Sequence, residues 1–123
     1  MKTSELTGAA LDWAVTRAHQ EGELAFDYYI DHKGRVMEEK GDLSWHYTPS
    51  TYWAQGGPII ERTCASVFVD RKHAAFEGHP EEFWFCEISE GGLWSGPTPL
   101  IAAMRCYVAS KMGDNIDIPE ELK

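Results

Sequence analysis

The chain is short of basic residues. Its 123 residues carry 11 lysines and arginines against 20 aspartates and glutamates, a formal net charge of -9. Phosphate backbones need clustered Lys and Arg, so non-specific nucleic-acid binding is excluded. A small anionic ligand held by one or two local cations stays open. The acids are scattered, which reads as a solvated surface rather than as a mimic of nucleic acid. Cysteine is scarce as well. Cys64, Cys86 and Cys106 are odd in number, contain no C-x-x-C pair and form no closed disulfide framework. Each lies in apolar sequence, as buried reduced thiols do, which fits a reducing cytoplasm.

No apolar run approaches the roughly 18 residues of a membrane helix. The segment Met1-Lys2-Thr3-Ser4-Glu5 is polar and lacks a signal-peptide core. A soluble, cytoplasmic protein without membrane contacts is expected. Catalytic signatures are missing too. None of His19, His32, His46, His73 and His79 forms an H-x-x-x-H pair or stands beside a cysteine at metal-ligand spacing. There is no phosphate loop, no nucleophile elbow and no dinucleotide fingerprint. No metal and no cofactor are therefore expected. Cys86 with His46 or His73 as its base has no local support, and a structural thiol is the plainer reading.

What is present is ordinary in bulk: 43% hydrophobic and 25% charged residues, as in globular domains. The length fits one domain, residues 1–123, able to bury a core without staples. A helix is expected from Gly8 to Gln20, with Thr7 as N-cap, Leu6 and Leu11 as a hydrophobic staple, and Leu11, Ala14, Val15 and Ala18 as the apolar stripe. Asp12 is expected at the surface, with Trp13 flanking the core. Strands are expected at Leu24–Ile30, Arg35–Met37, Thr63–Val69 and Phe83–Ile88. Between them fall a turn at 32–35, a charged loop at Glu38–Asp42, a polar excursion at Asp70–Glu82 and a turn at Glu90–Gly92. Ser50 to Gly56 reads as a single helical turn, Pro58 makes Gly57 extended, and Ile59-Ile60 opens a strand. The last helix runs from Pro99 to Met112, capped by Thr98 and ended by Gly113. Ile116 and Ile118 then form an extended tail. The sum is an α+β fold, a small antiparallel sheet packed against an N-terminal and a C-terminal helix.

Two segments look built for a site. Tyr47 to Ile60 combines Tyr47, Tyr52 and Trp53 with Ser50, Thr51 and Gln55, then Gly56-Gly57-Pro58. Paired glycines leave amides free to donate, aromatic faces stack flat rings, and hydroxyls and an amide fix orientation. The plain alternative is a rigid loop whose aromatics plug the core. The second segment, Ser95 to Leu100, offers a helix N-terminus behind Pro97 and Thr98, which suits an anion or is simple capping. Arg105, two turns on, is placed to reach a carboxylate or phosphate, or to make a structural ion pair.

These same blocks carry a resemblance. Thr3-Ser4-Glu5-Leu6-Thr7-Gly8-Ala9-Ala10-Leu11-Asp12-Trp13-Ala14-Val15, Tyr47-Thr48-Pro49-Ser50, Trp53-Ala54-Gln55-Gly56-Gly57-Pro58-Ile59-Ile60-Glu61 and Gly96-Pro97-Thr98-Pro99-Leu100-Ile101-Ala102-Ala103-Met104-Arg105 resemble the NinX-like family of tailed-phage and prophage proteins. The likeness runs on to Pro119-Glu120-Glu121-Leu122 and covers about half the chain; Gly22–Ser44 and Thr63–Gly92 carry none of it. It implies a phage accessory protein made in the bacterial cytoplasm and brings no catalytic residues with it. Three functions are weighed. The first is non-enzymatic capture of a small nucleotide-like ligand, sequestering a host defence signal. The second is a protein-interaction factor acting on a host or phage machine. The third is a small nucleotide-acting enzyme using Cys86, His46 or Glu61. A chain this short has little room for a deep pocket, so an interface between subunits of a homo-oligomer is another place for the ligand.

Overall fold

Each helix end and hairpin has a local cause, and these causes set where the site can lie. The structure, a computed structural model, describes residues 1–22, 27–63, 65–69, 84–88 and 92–123. Among them run α1 (Gly8–Gly22), β1 (Asp27–Ile30), β2 (Val36–Lys40), β3 (Leu43–His46), α2 (Trp53–Thr63), β4 (Ser66–Val69), β5 (Trp84–Ile88), β6 (Gly92–Gly96) and α3 (Pro99–Met112). Short 3-10 turns lie at Thr3–Glu5 and Glu120–Leu122. The α+β class is as expected. The strands form two antiparallel meanders, β1-β2-β3 and β4-β5-β6.

The terminal helices follow their sequence signals. Thr98 Oγ1 accepts a hydrogen bond from Ile101 N at 3.1 Å, Pro99 is the first helical residue, and Gly113 ends α3 at φ 84°. Leu6 and Leu11 are both fully buried, and Leu11 N donates to Thr7 O at the start of α1. α3 is buried on more than its expected face: Ala102, Ala103, Arg105 and Cys106 are enclosed along with Leu100, Met104, Tyr107 and Val108. It is the central helix, packed against α1, α2 and the β4-β5-β6 sheet. The small side chains of Ala102 and Ala103 permit close approach on two sides. Ile116 and Ile118 are buried on the body, as expected of the tail.

Three expectations need correction. The charged loop at Glu38–Asp42 is mostly strand: Glu38, Glu39 and Lys40 belong to β2, and the turn is confined to Gly41 (φ 61°) and Asp42. Glu38 faces Trp45 across the hairpin and accepts from its indole at 2.7 Å, so a tertiary bond outweighs the polar composition. Gly92 belongs to β6, an unanticipated strand with glycine at both ends. Gly57 is not extended, and Ile59-Ile60 begins no strand; both lie inside α2 with Pro58. The packing of α2 against α3 outweighs the local preference of a pre-proline residue. The expected loop at Asp70–Glu82, residues 23–26, Cys64 and 89–91 lie outside the described residues.

Candidate functional site

The central block is pinned from within. Thr51 N and Tyr52 N donate to Thr48 O, closing a turn at Pro49-Ser50. Ser50 N donates to Asp12 Oδ1 on α1 at 2.9 Å. Gln55 Oε1 accepts from Thr48 N at 2.6 Å, and its Nε2 donates to His46 O at 2.9 Å, tying α2 to the end of β3. Gly56 is a packing residue: a Cβ there would lie 2.3 Å from Pro49 O and 2.6 Å from Leu100 Cδ2. Its amide donates to Tyr52 O. The expected free glycine amides are therefore taken up by helix and packing.

What this frame holds outward is aromatic. Tyr52 and Trp53 are 55% and 56% exposed, beside exposed Thr51, Ala54 and Pro58. The Trp53 ring lies beside Gly57, where an added Cβ would sit at an ordinary contact distance of 3.8 Å from Cε3. The Trp53 and Ala54 amides, in the first turn of α2, have no acceptor among the described residues. Pro58 has no N–H to give the Ala54 carbonyl, one turn before it. Two rings and two backbone donors thus stand together at the start of α2.

The second block meets the first through Leu100, which packs on Gly56, but as an interior contact. Thr98 caps α3, Pro97 is exposed, and a Cβ on Gly96 would lie 2.7 Å from Ala102 N. Arg105 is 3% exposed; its Nε donates to Leu6 O at 3.0 Å and its Nη1 to Ser95 O at 2.9 Å. The guanidinium clamps the N-terminal segment and β6 onto α3, a structural use of the cation through backbone carbonyls. Tyr47 is also interior.

Tyr47 leads to a buried polar network that sequence reading missed. His19 Nε2 lies 2.6 Å from Tyr47 Oη and Nδ1 lies 2.8 Å from Tyr107 Oη. Tyr28 stacks on the His19 ring and packs against Tyr47, with ring centroids 5.0 Å apart, and Glu38 accepts from Trp45 near by. One neutral imidazole satisfies both contacts, accepting from one tyrosine hydroxyl at one ring nitrogen and donating to the other tyrosine from the second. Neutral His19 fits this pairing, and burial, with the Arg62 charge adding to it, pushes its pKa down to about 4. Burial moves the Tyr28 and Tyr47 phenols upward. With both ring nitrogens engaged, His19 serves architecture.

Asp12 corrects another expectation: it is 3% exposed rather than on the surface. Burial raises its pKa to about 6, opposed by the Ser50 amide and, more weakly, by the nearby Ser50 hydroxyl, which makes no hydrogen bond of good geometry. The sequence did carry a signal. Asp12, Thr16 and His19 recur at i, i+4 and i+7 as a polar stripe, all buried, beside the apolar one. Trp13 packs at the core edge, as expected.

Cys86 and Cys106 are buried, free and neighbours of one another, and His46 is exposed on β3. Among the described residues no three His, Cys, Asp or Glu side chains gather to hold a metal, and no helix is long and apolar enough to cross a membrane. No curated protein matches the chain. Residues 2–111, covering every element from the first turn into α3, match the family described as Bacteriophage P22, NinX, and the chain belongs to that phage protein family.

Proposed function

We propose that this NinX-family chain is a non-enzymatic binding module of the bacterial cytoplasm that engages a host or phage protein through the Tyr52–Trp53 surface. The observation that carries the reading is two aromatic side chains, each more than half exposed, on a turn fixed by Asp12, Gln55 and Gly56. Exposed rings on a rigid frame contribute contact area at little entropic cost, which is why aromatics dominate interface hot spots. The unpaired amides at the start of α2 supply polar contacts at the rim. The acidic chain suits a partner with a basic rim.

The test is a photo-crosslinker at Thr51 in phage-infected cells, followed by affinity of the captured protein for wild type and Trp53→Ala. A single stoichiometric partner that loses at least about tenfold in affinity supports the reading. Equal affinity for the two chains sinks it.

A second reading rests on the Trp53 and Ala54 amides. A flat nucleotide-like molecule stacked on Trp53 places its phosphate at the start of α2, a helix N-terminus with free donors. Such a module would sequester a host signal. Tyr47, Ser50, Gln55, Gly56, Arg105 and Thr98 then act as its frame, with Thr51, Trp53, Gly57 and Pro58 near the ligand. Native mass spectrometry of gently purified protein separates the two readings: retained nucleotide mass favours this one, and a protein adduct favours the first.

A further inference from the structure

On another side of the molecule the N-terminal segment is laced to the chain that follows α3. Thr3 N donates to Asp114 O at 2.8 Å, Thr3 Oγ1 donates to Gly113 O at 2.8 Å, and Lys2 bridges Asn115 in antiparallel register. Thr3 points inward and is fully buried, while Lys2 and Ser4 on either side of it are exposed. Beside this strap opens a cleft of about 440 Å³, lined by Lys2, Ser4, Trp94, Asp114 and Asn115. The volume falls in the range of small-molecule sites, roughly 300–1,000 Å³.

The chemistry of the walls is specific. Trp94, half-buried on β6, supplies an aromatic floor. Lys2 and Asp114 bring one positive and one negative charge, and neither makes an ion pair with a described residue. Ser4 and Asn115 bring a hydroxyl and a carboxamide. The cleft is thus locally neutral but charge-separated, in a chain whose net charge is -9. An anion meets one lysine and a repelling carboxylate, and a cation meets the reverse. A molecule carrying both charges satisfies both walls.

We infer that this cleft binds a small zwitterion with an apolar side group, of the α-amino acid class. Its carboxylate meets Lys2 Nζ, its ammonium meets Asp114, and its side group lies on the Trp94 indole. The site shares no residue with the Tyr52–Trp53 surface, so it stands or falls separately.

The experiment titrates the full chain at low salt with L-phenylalanine, L-leucine, 3-phenylpropionate (no ammonium) and phenethylamine (no carboxylate), following the Trp94 indole N–H by NMR. Saturable shifts with the two amino acids, and binding about tenfold or more weaker for each single-charge analogue, are expected. Lys2→Gln removes the advantage of a carboxylate and Asp114→Asn that of an ammonium. Both side chains are exposed, and Asp114 keeps its main-chain bond to Thr3 in the variant. Trp53→Ala leaves the titration unchanged. No saturable shift with either amino acid overturns the inference, as do equal affinities across all four probes, which would mark simple apolar adhesion.

Discussion

The block from Tyr47 to Thr63 has two faces with opposite duties. Its inner face (Tyr47, Ser50, Gly56, Ile59) is buried, hydrogen-bonded to α1 and packed on α3. Its outer face (Thr51, Tyr52, Trp53, Ala54) is exposed and makes no comparable tertiary bonds. A Gly/Pro/aromatic motif read from sequence merges these faces, because helix periodicity separates them only once the helix is known. The inner face fixes the fold, and the outer face is what a partner can touch.

The sharpest break of this contrast is Gly56→Ala. The new methyl meets the Pro49 carbonyl and Leu100 at distances no side chain tolerates. A loss of about 3 kcal/mol or more is expected, despite the better helix propensity of alanine. In a domain stabilised by roughly 5–15 kcal/mol this is a large fraction. Urea denaturation reads it directly. A variant as stable as wild type would show that α2 does not press on α3 as described.

Tyr47→Phe tests the same face with less force. It removes the hydroxyl bonded to His19 and leaves His19 Nε2 buried without a partner. The expected cost is about 1–3 kcal/mol. A loss below about 0.5 kcal/mol would mean that the network relaxes or admits water.

The inner face also couples to two titratable groups on α1 whose shifts run in opposite directions. His19 falls from 6.5 to about 4 on folding, so its contribution is full above pH 6.5 and is lost as pH drops toward 4. Asp12 rises from 3.8 to about 6, so the folded state takes up its proton more readily and gains stability over nearly the same fall in pH. The two slopes oppose each other between about pH 4 and 6. Asp12→Asn removes one of them while keeping an acceptor for Ser50 N. Its stability should decline more steeply than wild type between pH 6.5 and 4, measured as urea midpoints on both chains. Parallel profiles would contradict the buried placement of Asp12.

How much of this was legible follows from the range of each interaction. α3 was readable to its last residue because Thr98, Pro99 and Gly113 act within a turn of where they stand. β3 and β6 were not, since Leu43-Ser44-Trp45-His46 is short and Gly92–Gly96 begins and ends in glycine. α2 was misread because Gly-Gly-Pro is a local breaker signal, and the forces that overrule it come from Pro49 and from Leu100, 44 positions beyond Gly56. Within the central block the division between frame and surface was invisible. The bonds that hold Asp12 and His19 inside come from partners 38, 28 and 88 residues away, and the polar stripe on α1 marks a buried face without identifying those partners.

The smallest effects sharpen the comparison most, because they separate stability from recognition. Beyond its chain neighbours, a Cβ added at Gly57 would meet only Trp53 Cε3 at 3.8 Å, an ordinary contact distance. Gly57→Ala should therefore stay within about 1 kcal/mol of wild type, the helix-propensity gain being offset by contact of the new Cβ with the Pro58 ring. That is far milder than Gly56→Ala one position earlier. Trp53→Ala, whose side chain is mostly in solvent, should change stability by no more than about 0.5 kcal/mol. If both variants keep the wild-type urea midpoint while Trp53→Ala loses its crosslinked partner, the outer face is a recognition surface and the inner face its support. If Trp53→Ala instead unfolds the protein, the indole belongs to the core and the two-face description fails at its central residue.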